Sequence, residues 1–363
     1  MKNLIEFTLC GWASGECNPY ELTSTAECQR LLLLINRKPA DALFISKELD
    51  LPVERIVELL SRLERCGLVK EEGGLYRPSF AIFTREDWEL LAPIVDRLAL
   101  SVAEIIRSSA DAVRGVLEAL TIVRRGLWFP ELDYIVVGAL ALDYEALDVL
   151  AEEGLMVKAK RMSGGEYVFT GFEAGIVNLK AGWMWDHTSK FGRYFFSTHG
   201  RLPPAGPRLA LPDIAWLWNW QGVSLDAIIS KMVELGDILA NLVDGDLKFE
   251  ELKKVVAVDA ITLASDLSLL HALGYVRLIG WDLWRLGVPM FKREEYEKLR
   301  SSARSISRLV AGKLREHLSE VERYYGMTAP ARNGIPLEEA LNPLYHFVFE
   351  KGSGHSDKWQ HHW

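Results

Sequence analysis

Nine cations, set in two similar stretches of chain, have the types and spacing to do chemistry. Arg55, Arg62 and Arg65 recur at helical intervals, and Lys70 and Arg77 flank the turn Glu71-Glu72-Gly73-Gly74. Lys253, Lys254, Arg277 and Arg285 occupy the corresponding stretch further along. Guanidinium and ammonium groups in such rows pair with phosphate oxygens, and arginine also reads guanine edges. The chemistry they permit is contact with phosphate and guanine. Charge argues in the other direction. The formal net charge is -8, whereas affinity for nucleic acid rests on neutralising phosphates. A local patch can still be basic on an acidic protein. Over residues 53–79 five basic side chains are matched by five acidic ones. In the second stretch Asp259, Thr262, Ser265, Asp266, Ser268 and His271 are expected to face outward, with no Arg or Lys among them. The opposing reading is therefore a solvated charged face on a module that contacts protein.

A second constellation is aromatic. Trp183, Trp185, Asp186, His187, Lys190, Arg193, Tyr194 and His199 fall within one short segment. Aromatic rings with a few polar groups are what a small-molecule pocket requires, and these could orient a planar or anionic effector. The alternative is that the rings are simply core. No nucleophile motif or glycine-rich phosphate loop accompanies Asp186 and His187, so no catalytic role and no enzyme is expected. His187 and His199 are twelve apart without flanking ligands, so no metal site is expected. No cofactor is named by any motif. Cys10, Cys17, Cys28 and Cys66 fit no zinc spacing, and four cysteines in 363 residues suggest incidental thiols in a reducing compartment. Cys66 is expected as a small core hydrophobe, and a thiol sensor among the other three stays open.

The elements that must position these residues repeat. Ile56, Leu60, Leu63 and Gly67-Leu68-Val69-Lys70 align with Leu263, Leu267, Leu270 and Gly274-Tyr275-Val276-Arg277 at a constant offset of 207. After one inserted residue, Phe83 to Glu89 lies over Phe291 to Glu297. An internal repeat has to be settled before any fold is assigned. Here it predicts a pseudo-two-fold object built from one chain.

Helices are predicted over 25–38, 42–49 and 53–66. The last has Val53, Ile56, Val57, Leu60 and Leu63 on one face, and Gly67 ends it. A hairpin follows, then a long helix from Glu86 to Leu120 with a kink at Pro93. The second series predicts helices over 225–243, 249–255 and 259–273, a hairpin within 275–288, and a helix over 294–325. Between the two series, Tyr134–Leu140, Leu155–Val157 and Tyr167–Gly171 read as strands and Tyr144–Glu153 as a helix. Leu344–Phe349 falls where the first of those strands would recur.

The order helix, helix, turn, helix, hairpin resembles the winged helix-turn-helix of the arsenical-resistance and multiple-antibiotic-resistance regulator superfamily. The residues that carry the likeness are Ile45 to Pro52 and Leu63 to Val69. The resemblance implies a third helix in the major groove, a wing on an adjacent groove or phosphates, and a long helix that serves as a dimer stalk. The expected fold is mainly α with a small α+β insert. The two winged units span 1–125 and 208–350, the aromatic-rich insert 126–207, and a mobile tail 351–363. The expected function is a DNA-binding transcriptional regulator modulated by a ligand in or beside the insert. A non-DNA-binding assembly or adaptor protein is the alternative, and a homodimer or protein partner fits either. No apolar run is long enough for a transmembrane helix, and a cytoplasmic location is expected.

Overall fold

The computed structural model describes residues 4–129, 132–176, 184–191, 194–201, 222 and 224–354. It is mostly helical with a few small sheets. Packing divides the chain into two units. One comprises Met1–Ile106, Asp143–Ala181 and Ser307–Gln360, the other Arg107–Leu142, Gly182–Ile306 and His361–Trp363. The expected divisions 1–125, 126–207 and 208–350 are each split between these units. Among the described residues no single helix is long and apolar enough to cross a membrane.

In the first unit the helices Ala26–Arg37, Ala42–Leu49 and Val53–Arg65 follow one another. Each of the first two starts where a side chain satisfies a free backbone N–H, Thr25 accepting from Cys28 and Asp41 from Phe44. Asp50 adopts the left-handed conformation (φ 54°) between the second and third helices. There the Leu51 N–H donates to the Ser46 carbonyl, and the Ser46 hydroxyl donates to the Leu51 carbonyl. The third helix buries Ile56, Leu59, Leu60 and Leu63. Val57, expected on that face, is 45% exposed, and Leu59 takes its place. Gly67 (φ 74°) turns the chain out, with the Leu68 N–H bonded back to the Leu63 carbonyl. The strands Val69–Glu72 and Leu75–Pro78 then pair antiparallel.

A sheet lies next to these helices. Ile5–Ala13 runs antiparallel to Gly165–Glu173, and Ala81–Phe83 lies parallel on the other edge of the same strand. Alternation along the strands separates two faces. One carries Ile5, Tyr167 and Phe169 into the core formed with Leu31, Leu32, Ile35, Ile56 and Leu60. The other carries Phe172, whose ring meets Phe347 of the helix Leu337–Gly354 at 5.1 Å. Cys17, just after Ile5–Ala13, is disulfide-bonded to Cys66 at the C-terminus of the third helix, with Cα atoms 5.3 Å apart. Cys66 is therefore a crosslink rather than a lone core thiol, and Cys17 is not incidental.

The run expected as a strand, Tyr134–Leu140, is helical. It belongs to Leu132–Tyr134 and the π-helix Ile135–Tyr144, followed by Glu145–Glu152. Ile135 to Leu142 are all buried, and a segment apolar on every side has no period to distinguish helix from strand. Leu155–Val157 forms no strand, although the Val157 N–H bonds to the Glu338 carbonyl. Leu344–Phe349 lies inside Leu337–Gly354, so no strand recurs there. That helix also takes in Lys351–Gly354 from the expected mobile tail, and Gly352 is buried where a Cβ would meet Val102. The long helix expected over Glu86–Leu120 breaks into Arg85–Ser108 and Ala110–Glu118.

In the second unit the order of elements is similar. Leu225–Asn241, Phe249–Val255 and Ala260–Ala272 are helices, and Gly274 (φ 80°) ends the third. Val276–Ile279 and Leu283–Leu286 form the hairpin, to which Leu247–Lys248 adds an edge. Met290–Lys292 pairs with Tyr194–Arg201, which pairs with Met184–Phe191. The helix Arg293–Tyr325 follows, of which residues 293–306 belong to this unit and the rest to the first.

Candidate nucleic-acid interface

The third helix of the first unit leaves Glu54, Glu58, Ser61, Arg62, Glu64 and Arg65 exposed, opposite the face that packs. Its cations have acidic neighbours. Arg55 donates to Glu27 at 3.0 Å and to Glu58 at 2.8 Å, and Arg65 stands 4.0 Å from Glu16. In the hairpin Lys70 and Arg77 both pair with Glu72. Arg62 is exposed and near the middle of the helix. Exposed ion pairs of this kind contribute little to stability, but a phosphate must displace the carboxylate to reach the arginine. The face is thus a row of alternating charges with Arg62 as its most available cation.

The second unit is built differently. No Arg or Lys occurs in Ala260–Ala272. Asp259 caps that helix, and the hydrogen bond from the Thr262 hydroxyl, then those from the Thr262 and Ile261 N–H groups, hold its carboxyl below the usual aspartate range. Asp266, expected to face outward, is only 2% exposed. Lys231 of Leu225–Asn241 ion-pairs with both Glu234 and Asp266. Burial, then a shared hydrogen bond with Glu234, pushes the Asp266 carboxyl up to about 6. Asp259, Ser265, Ser268 and His271 are exposed as expected and Thr262 is half-buried, while Ile261 is 83% exposed among them. At the hairpin tip Trp281 is 90% exposed. Lys254 and Arg277 are exposed, and Lys253 lies 3.7 Å from Glu250. Arg285 is bound to Asp246 through Nε at 2.9 Å and Nη2 at 2.6 Å. The same carboxylate accepts from Arg125 at 2.7 Å. Arg285 therefore orders the turn after Leu225–Asn241 and is less available than the sequence suggested.

The expected aromatic pocket is described only in backbone. Trp185, Asp186, His187, Lys190, Tyr194 and His199 lie in the paired strands, whose register sets Asp186 against His199 and Lys190 against Phe195. Trp183 and Arg193 lie outside the described residues.

Sequence reasoning missed the acidic partners. Glu72 and Asp246 each serve two cations, and Glu27 comes from a different helix than Arg55. Glu72 sits within a few residues of both its partners, so that pairing had a local signal. Asp246 and Glu27 are brought in by tertiary packing and had none. No protein-family model, no curated protein and no solved structure matches the chain.

Proposed function

We propose that the protein is a DNA-binding transcriptional regulator with two winged helix-turn-helix units in one chain. The observation that carries this reading is the twofold occurrence of one order of elements. Each series runs three helices, a left-handed glycine, a two-stranded hairpin, a short strand and a long helix. In such a unit the third helix enters the major groove and the hairpin lies beside it. The first series is the main reader, because Arg62 and Arg65 stand exposed on its third helix. Two unlike readers on one chain suit an asymmetric site.

The test is binding of the full chain to pooled genomic fragments over a range of salt concentrations. Affinity is expected to fall with salt, and Arg62→Ala is expected to reduce the slope by about 1. No binding at low salt ends the reading. A second reading, an adaptor working through protein contacts, is favoured by Ile261 and Trp281, apolar and exposed where a DNA reader carries cations. Self-association abolished by Trp281→Ser, together with no DNA binding, would establish it.

A further inference from the structure

The third helix of the first unit is crosslinked to a turn that little else holds. Cys66 caps the C-terminus of Val53–Arg65 and is fully buried. Its disulfide partner Cys17 closes the turn Gly15–Cys17 and is half-buried. The turn itself buries no side chain. The Asn18 N–H bonds to the Gly15 carbonyl at 3.0 Å within it, and the Ser14 N–H donates to the Gly164 carbonyl at 2.9 Å. A segment with so few buried contacts has little local stability of its own. The helix is held otherwise, through Ile56, Leu59, Leu60 and Leu63. Opening the crosslink therefore frees the turn and leaves the helix packed.

The turn carries a carboxylate to the face proposed to read DNA. Glu16 precedes Cys17 and Arg65 precedes Cys66, and the two exposed side chains stand 4.0 Å apart. Arg65 and Arg62 are the two arginines exposed on that helix. The crosslink sets Glu16 and Arg65 side by side. An exposed ion pair at this distance contributes little by itself, so the pair does not hold the turn in place once the disulfide is open.

Exchange chemistry fits the arrangement. One thiolate of a dithiol attacks Cys17, the more exposed of the two sulfurs' residues. The S–S bond breaks, and its electron pair leaves on the Cys66 sulfur, which takes a proton. The second thiolate of the dithiol attacks the mixed disulfide and releases Cys17, which is protonated in turn. The dithiol ends as a cyclic disulfide, and two electrons have passed to the protein. The other cysteines do not intervene. Burial pushes the Cys28 thiol up to about 12 and the Cys10 thiol above its ordinary range, and only a thiolate exchanges. We propose that Cys17–Cys66 is a redox switch. When it is closed, Glu16 masks Arg65. When a dithiol opens it, the turn departs and Arg65 is free to meet a phosphate.

The masking of Arg65 rests on the DNA-binding reading, whereas the release of the turn does not. Both are tested on the full chain, oxidised and after reduction by dithiothreitol. Amide hydrogen exchange over residues 14–18 should quicken at least about tenfold on reduction, while residues 56–63 stay within about twofold. Affinity for pooled genomic fragments at fixed salt should rise about two- to fivefold, the weight of one exposed ion pair. Glu16→Gln should show that gain already when oxidised and gain nothing more on reduction. Arg65→Ala should show no gain on reduction. Unchanged exchange over 14–18, or lost protection over 56–63, overturns the switch. Affinity that falls or stays constant on reduction, or a full reductive gain in Glu16→Gln, overturns the masking. Faster exchange over 14–18 in a protein that binds DNA in neither state leaves the redox release standing and removes the regulator reading.

Discussion

Asp266 illustrates how one carboxyl links packing to pH. It is buried beside Glu234 and Lys231, and its folded pKa of about 6 lies above that of an ordinary aspartate. A carboxyl whose pKa is raised on folding holds its proton more tightly in the native state. The stability it contributes is complete below the unfolded pKa and is lost as pH rises through about 6. Glu234 is shifted the other way, mainly by its hydrogen bond to Asp266, so its own contribution is lost only in more acidic solution. Asp266→Asn imitates the protonated form at every pH. Relative to wild type the variant should gain stability between about pH 5 and about pH 8 in urea unfolding. A variant that loses more at the higher pH would show that Lys231 holds Asp266 as an anion. Cys17 and Cys66 close a loop with a sequence separation of 49. Replacing both by serine should cost roughly 4 kcal/mol, most of it through a less restricted unfolded chain. The double variant should also lose the response of the urea midpoint to a thiol reductant. A wild-type midpoint indifferent to reductant would mean that the crosslink is absent in solution.

Elements were legible in the sequence where a local rule fixed them. Ala42–Leu49 and Phe249–Val255 match their expected bounds, and Val53–Arg65 and Ala260–Ala272 differ by one or two residues. Helical periodicity, a capping Asp41 and the glycines at 67 and 274 suffice for that. What failed depended on distant chain. Ile5–Ala13 was missed because its partner strand begins at Gly165, and Ile135–Tyr144 was misread because burial on all sides erases the period. The outward reading of Asp266 failed because its lysine belongs to another helix. The candidate DNA face was legible in its arginines and illegible in the carboxylates that packing brings to them. One long-range link can be tested directly. Asn333, 1% exposed, donates to the Asn36 carbonyl at 2.8 Å and to its side-chain oxygen at 3.0 Å, while Asn36 donates to the Ile82 carbonyl at 2.9 Å. These bonds fasten the short helix Ala329–Arg332 region to Ala26–Arg37 and to Ala81–Phe83. Asn333→Ala leaves two buried acceptors short of a donor and should cost about 1–3 kcal/mol in urea unfolding. A change within error would mean that water takes over the donor role.

At the scale of the whole molecule, a chain of net charge -8 can hold DNA only through a local cationic face. The two series offer unequal faces. The first presents Arg62 and Arg65 on its third helix, with Arg55 held nearby by Glu27 and Glu58. The second presents Ile261, a capping Asp259 and no cation on that helix, and its hairpin arginine Arg285 is bound to Asp246. An aspartate facing a phosphate is repelled, and an exposed isoleucine gains nothing from it. Within our reading, affinity therefore comes from the first series, and the second contributes orientation or contact with protein. The comparison is best made in the intact chain, with Arg62→Ala set against Arg277→Ala. Both residues are exposed, so neither change disturbs packing. The loss of one phosphate contact should weaken Arg62→Ala several-fold and reduce the salt slope by about 1, while Arg277→Ala stays within about twofold of wild type. Equal losses in the two variants would make the series equivalent readers, and a larger loss in Arg277→Ala would reverse their roles.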